Sequence, residues 1–228
     1  MPIDIPKVVS DRWWKRTTQM SHLLLPLTVL LQVGCEGAVK ERPVQTAEVL
    51  YETCIPCHGA QAEGRLLAKA PPLAGMPAWY LSEQLEKFRS GKRGAHPDDV
   101  NGLRMRPVAR SLVDDEQIEK LAKWLSEKSA HTQPTPAHGD IEAGKLAYQV
   151  CSACHGPNAE GIEAMGAPAL RNLPYWYFSA QLSSFLAGYR GGPNDDPDAQ
   201  GMRGMASLAA TPEARENLNA YIQSLNSQ

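Results

Sequence analysis

The chain has 228 residues, a 43% hydrophobic composition and a formal net charge of −2, which allows two small domains or one of medium size. A charge this close to zero excludes the basic surface that nucleic-acid binding requires, and no low-complexity tract suggests a disordered chain. The charge is unevenly spread: residues 36–130 carry fourteen basic and fourteen acidic side chains, whereas residues 131–228 carry five and nine, so the second half is acidic.

Residues 1–35 read as an export signal. Lys7, Arg12, Lys15 and Arg16 precede an apolar run from Leu23 to Val33; at eleven residues, broken by Pro26 and Gln32, it is short of the ~20 that span a bilayer. Cys35 directly after Gly34 resembles a lipoprotein cleavage site, with Cys35 as the lipid-carrying first mature residue, although Gln32 stands where such sites usually have Leu. Cleavage near Gly37 and an uncleaved anchor are the other readings. Export places the mature chain in the periplasm, with a membrane tether if Cys35 is lipidated.

A short helix through Ala47–Leu50 leads to "CIPCH", Cys54 to His58, and then to "AEG" ending at Gly64. A middle helix is expected from Trp79 to about Ser90, and a last one after Asp114-Asp115-Glu116. In the last, Ile118, Leu121, Ala122 and Leu125 repeat at i, i+3, i+4 and i+7. Residues 131–139, with Pro134 and Pro136, read as a Pro-rich linker.

Beyond the linker the chain repeats itself. Adding 97 to a residue number from about 51 to 128 returns the same residue type again and again without a gap: "PAWYLSEQLEKFRSGKRG" from Pro77 becomes "PYWYFSAQLSSFLAGYRG" from Pro174. A short helix through Ala143–Ala147 leads into the second cysteine pair, a middle helix follows from Trp176 to Ala187, and the last begins with Thr211 as N-cap and Pro212 in its first turn. Two domains from a duplication are therefore expected, at 42–130 and 140–228. Both are all-α, since no convincing alternating strand occurs.

Each copy contains Cys-x-x-Cys-His: Cys54, Cys57 and His58, then Cys151, Cys154 and His155. A thioredoxin-like pair wants a βαβ context and a structural zinc site wants its two pairs closer together, while a plain disulfide needs no adjacent histidine. Cys-x-x-Cys-His is the attachment signature of c-type haem. The two thiols form thioethers with the haem vinyl groups and the histidine supplies an axial nitrogen, so two covalently bound haem c groups are expected. Among candidate sixth ligands, only Met105 falls on another methionine, Met202, and both lie 47 residues after their histidine. A thioether on the iron favours the ferrous state and closes the site to small molecules. Met205 lies close to Met202, which leaves a ligand swap open.

The ligating histidines need acceptors for their other ring N–H; the backbone carbonyls of Pro71 and Pro168 are the candidates. Trp79, Tyr80, Trp176 and Tyr177 read as haem-packing aromatics or as plain core. Arg93 and Arg190 read as haem propionate partners or, by default, as surface residues.

With these motifs in hand the chain resembles the di-haem cytochrome c4 family over about residues 44–228. The resemblance rests on the two haem motifs, the "P-x-L" after each, the "WY…QL..F..G.R" helix and the segments at Met105 and Met202. It implies two tandem class I cytochrome c domains with their haem propionate edges facing each other. It also implies a one-electron carrier, not an enzyme, between the bc1 complex and a terminal oxidase. A cytochrome subunit accepting electrons from a periplasmic dehydrogenase is the alternative, and a di-haem peroxidase, with one open iron, is a further one.

Overall fold

The described residues form ten α-helices, and the helices of each half gather around a core of their own. The computed structural model describes residues 45–130 and 138–227; the expected export signal, Cys35 and most of the linker lie outside them. In the first half come α1 (Ala47–Tyr51), α2 (Ile55–His58), α3 (Ala78–Ser90), α4 (Val100–Arg110) and α5 (Asp115–Ser126). The second half repeats the order as α6 (Ile141–Tyr148), α7 (Ser152–His155), α8 (Tyr175–Leu186), α9 (Pro197–Ala206) and α10 (Pro212–Ser224). Among the described residues there is no strand, only two isolated antiparallel bridges at matching places, Arg65 with Ala70 and Ile162 with Ala167.

The last helix of each half forms for the reasons its sequence gives. Asp114 caps α5 by accepting from the Gln117 N–H at 2.9 Å, and Thr211 Oγ1 accepts from the Ala214 N–H at 3.1 Å to start α10. The apolar stripe of α5 is buried throughout, at Ile118, Leu121, Ala122 and Leu125. It packs with Leu50, Tyr51 and Leu81 into one core, while Tyr148, Phe178, Leu182, Phe185, Leu218 and Ile222 build the other.

Two helices were not read from the sequence. The segments that carry Met105 and Met202 are helical, as α4 and α9, although Gly102 and Pro107 interrupt the first and Gly201 and Gly204 the second. Each is started by an aspartate: Asp99 Oδ1 accepts from the Gly102 N–H at 3.0 Å, and Asp196 Oδ1 from the Ala199 N–H at 2.9 Å. Capping and packing against α3 or α8 hold a helix here that propensity alone would not.

Candidate functional site

The spacing of the cysteine motif is a helical one. In α2 and α7 the two cysteines and the histidine fall at i, i+3 and i+4, which is one face of a single turn. Cys54 is the N-cap of α2 and its carbonyl accepts from the His58 N–H at 2.9 Å; Cys151 and His155 repeat this at 2.9 Å. The four cysteines are free. Among the described residues no three His, Cys, Asp or Glu side chains come together as a metal-ion cage.

The loop after each histidine explains the repeated Ala-Glu-Gly. Ala62, fully buried and left-handed at φ 58°, accepts from the Leu73 N–H at 2.8 Å. Gly64, at φ 79°, donates its N–H back to the His58 carbonyl at 2.8 Å. Ala159 and Gly161 do the same in the second copy, accepting from Leu170 and donating to His155. The loop so folded brings a proline carbonyl to the histidine: His58 Nδ1 lies 2.8 Å from the Pro71 oxygen and His155 Nδ1 2.8 Å from that of Pro168. A carbonyl only accepts, so Nδ1 carries the proton. In a neutral ring the Nε2 lone pair is then free for a metal. Burial pushes both imidazoles below the usual histidine range, against the pull of the carbonyls, and so favours that neutral form.

In the first half a cavity of about 330 Å³ contains Cys54, Cys57, His58 and Met105 in its lining, with Leu81 and Leu85 among its apolar walls. Met76, which has no methionine counterpart, lines it too. The second half brings Cys151 and Met202 against its core as half-buried side chains, whereas Met205 and Met165 are exposed at 41% and 47%. That difference favours Met202 over its neighbour.

Arg93 and Arg190 correct the default expectation of a surface role. Both are buried, at 8% and 6% exposure, where the halves meet. Gln84 Oε1 accepts from Arg93 at 2.6 Å and from Arg190 at 3.2 Å; Gln181 Oε1 accepts from Arg190 at 2.8 Å and from Arg93 at 3.1 Å. Each guanidinium also stacks on a phenylalanine of its own half, Phe88 or Phe185, at 4.3 Å. Trp176 and Tyr177, from the second half, line the first half's cavity together with Tyr80 and Arg93, so these aromatics bridge the halves. Trp79 packs edge-on against Tyr80.

Those arginines test whether a haem fits. Among the described residues neither guanidinium is ion-paired, and each leaves its Nε, like Trp176 Nε1, buried without an acceptor. Two buried cations beside one another are costly unless an anion joins them. A porphyrin whose carboxylate edge reaches this cluster answers the charge and the orphaned donors, while its apolar face suits the cavity. Thiols at i and i+3 and an unprotonated Nε2 complete the donor set, so the residues fit haem c.

Sequence reasoning missed Gln84, Gln181 and two tyrosines. The buried Tyr51 hydroxyl donates to the Gly59 carbonyl at 2.7 Å and that of Tyr148 to Gly156 at 2.8 Å, each fixing the residue after a histidine. Their signal was present as paired positions in the repeat.

Known proteins give the same picture. The cytochrome c family description matches twice, at residues 44–129 and 141–226. Cytochrome c4 of Stutzerimonas stutzeri is 29% identical over 210 residues, covering 88% of this chain and 98% of that protein. The thiosulfate dehydrogenase electron acceptor of Thiomonas intermedia (strain K12) is 33% identical over 185 residues, covering 74% and 80%. The solved structure of Acidithiobacillus ferrooxidans cytochrome c4 superposes with a TM-score of 0.62 at 25% identity, covering 76% of this chain and 99% of that one.

Proposed function

The chain belongs to the cytochrome c family, as a di-haem protein of cytochrome c4 type with one covalently bound haem c in each of two tandem domains, and from that premise we propose how its residues hold the haems and whom it serves. It is an electron-transfer protein, not an enzyme. Bound haem supplies the one-electron couple.

Cys54 and Cys57 hold the first haem by thioethers, and Cys151 and Cys154 the second. His58 and His155 would hold the irons through Nε2, and Met105 and Met202 would add their sulfurs. The Pro71 and Pro168 carbonyls keep each imidazole in one orientation and one tautomer and make it a stronger donor. With a histidine nitrogen and a methionine sulfur on each iron, the haem would supply a one-electron couple with no open face for substrate. Arg93, Arg190 and Trp176, with their orphaned buried donors at the domain contact, would hold and neutralise the propionates. Gln84 and Gln181 keep the two guanidiniums in register across it.

The observation that carries this reading is the histidine geometry, reproduced at 2.8 Å in both copies with a methionine at the same register. Redox titration with optical detection of the methionine–iron charge-transfer band tests it. Two haem equivalents per chain, each titrating as a one-electron couple with the band present, are expected. A single haem equivalent, or rapid stoichiometric carbon monoxide binding by the reduced protein, would overturn it.

The carrier works in the periplasm, between the bc1 complex and a terminal oxidase, and lipid on Cys35 tethers it to the membrane. Among the described residues no helix is long and apolar enough to cross a bilayer. Relatives described as electron acceptors of thiosulfate dehydrogenase favour a second reading, in which a periplasmic dehydrogenase is the donor. Stopped-flow reduction by bc1 complex and by such a dehydrogenase decides between them: the physiological donor reduces the protein at low micromolar concentration, and the other does not.

A further inference from the structure

The duplication is unequal at the domain contact, and the inequality falls on one of the two methionine helices. Lys87, on α3, is only 6% exposed. Its Nζ pairs directly with Asp196 Oδ2 of the second domain, lies 3.7 Å from Asp195 Oδ1 and 2.5 Å from Glu83 Oε1 one turn back on its own helix. A lysine is seldom buried unless it is paired. Both aspartates already serve the start of α9. Asp196 is its N-cap, accepting from the Ala199 N–H at 2.9 Å. Asp195 accepts from the Gly191 N–H at 3.0 Å and from the Asp196 N–H at 3.0 Å, and its carbonyl accepts from Gln200 Nε2 at 2.7 Å. Lys87 thus grips, from the other domain, the carboxylates that begin the helix carrying Met202.

Among the described residues the first domain's α4 has no such ion-paired grip; near its start the second domain contributes the stacking of Tyr189 on His96 at 4.6 Å. The position equivalent to Lys87 is Ser184, whose hydroxyl donates back to the Ala180 carbonyl at 2.9 Å. Asp98 has a 74% exposed side chain, and Asp99 caps α4 with no lysine or arginine ion-paired to it among the described residues. The α9 helix also needs outside support. At Gly201 and Gly204, on either side of Met202, nothing lies within 4 Å of where a Cβ would stand, and two interior glycines weaken a helix. The hydrogen bonds that start it lie at the end that Lys87 holds.

We infer that Lys87 is a positioning residue for Met202, and that it makes the second haem's sixth ligand, and not the first's, dependent on the contact between the domains. This rests on Met202 being that ligand. Loosening the contact then registers at the second haem first.

The test compares the holoprotein with Lys87→Ser, which installs the residue of the second copy, and with Lys87→Gln and Asp196→Asn, which keep more of the native packing. Amide exchange is followed over residues 197–206 and 100–110, and carbon monoxide is added to the reduced protein. The expected result is exchange at least about tenfold faster in 197–206, as loss of one partner of a buried pair gives, with 100–110 unchanged and carbon monoxide taken up by one haem. Equal acceleration of both helices, or of neither, overturns the inference. So does acceleration confined to 197–206 with both haems still closed to carbon monoxide. Met202→Ala in the otherwise native chain separates the two readings: if that variant also excludes carbon monoxide, the ligand assignment has failed independently of Lys87.

Discussion

Each motif histidine gives Nδ1 to the protein, and the residues that fix it there are a proline carbonyl and a tyrosine. The Pro71 and Pro168 oxygens fix the proton on Nδ1 at 2.8 Å, and the tyrosine hydroxyls hold the following glycine carbonyls at 2.7 and 2.8 Å. Tyr51→Phe strips a buried carbonyl of its donor, so it should lower unfolding free energy by about 1–3 kcal/mol, read as a shift in denaturant midpoint at unchanged slope. Tyr148→Phe should match it, because the two sites are copies. On the other side of the iron, Met105→Ala and Met202→Ala should each lower the potential of one haem and open it to carbon monoxide. Unchanged titration curves in both variants would refute the assignment. These candidates stood out because the 97-residue register sets two copies of one motif side by side. Lys87, Gln84 and Gln181 were not. A lysine or an amide on an amphipathic helix reads as a solvated face, and only the meeting of the two copies buries it. The arginines were misjudged as surface by default for the same reason.

Among the elements, those with an unbroken apolar period were readable, and those started by a cap and held by packing were not. The last helices, α5 and α10, announce themselves by an N-cap and a stripe at i, i+3, i+4 and i+7. The α4 and α9 helices carry glycine or proline inside and have few buried residues, Gly102 and Ala109 in one, Ala199 and Ala206 in the other. The loop between each histidine and its proline is the element on which the ligand geometry turns, and Gly64 is its pivot. At φ 79° a side chain is strained, and a Cβ there would lie 2.4 Å from the Pro72 nitrogen and 2.6 Å from the Pro71 carbonyl carbon. Gly64→Ala should therefore push the Pro71 carbonyl off His58, with a backbone strain of about 1–3 kcal/mol and an altered spectrum at the first haem alone. Gly161→Ala, with its Cβ 2.5 Å from the Ala169 nitrogen, should do the same at the second haem. Resonance Raman of the two variants checks which histidine–iron environment has changed.

At the scale of the molecule the domain contact combines a cluster of two guanidiniums and two amides with one lysine–carboxylate clasp, and the clasp gives it a pH window. Lys87 faces Glu83 on its own helix and Asp195 and Asp196 from the second domain. Burial opposes its charge, but the hydrogen bonds it donates to Asp196 and Glu83 outweigh that and hold Lys87 above the usual lysine range of about 10.5. Burial likewise works against the charged form of Asp196, and the Lys87 ammonium and the Ala199 N–H outweigh it, holding the carboxyl below its ordinary 3.8. A raised lysine contributes stability that is complete below 10.5 and lost as pH rises through its higher folded value. A lowered aspartate contributes stability that is present above 3.8 and lost as pH falls through its lower folded value. The clasp should therefore hold unchanged between about pH 5 and 9, and weaken below the aspartate range and above the lysine range. Exchange in residues 197–206, followed against residues 100–110 as an internal reference for the intrinsic pH dependence of exchange, should show both limbs in the native holoprotein. Lys87→Gln should lose the alkaline limb, because no ammonium remains to deprotonate, and should start from the faster exchange that the native protein reaches only at its extremes. An alkaline limb that survives in Lys87→Gln would place the titrating group elsewhere and remove the clasp from the account of how the two haem domains are joined.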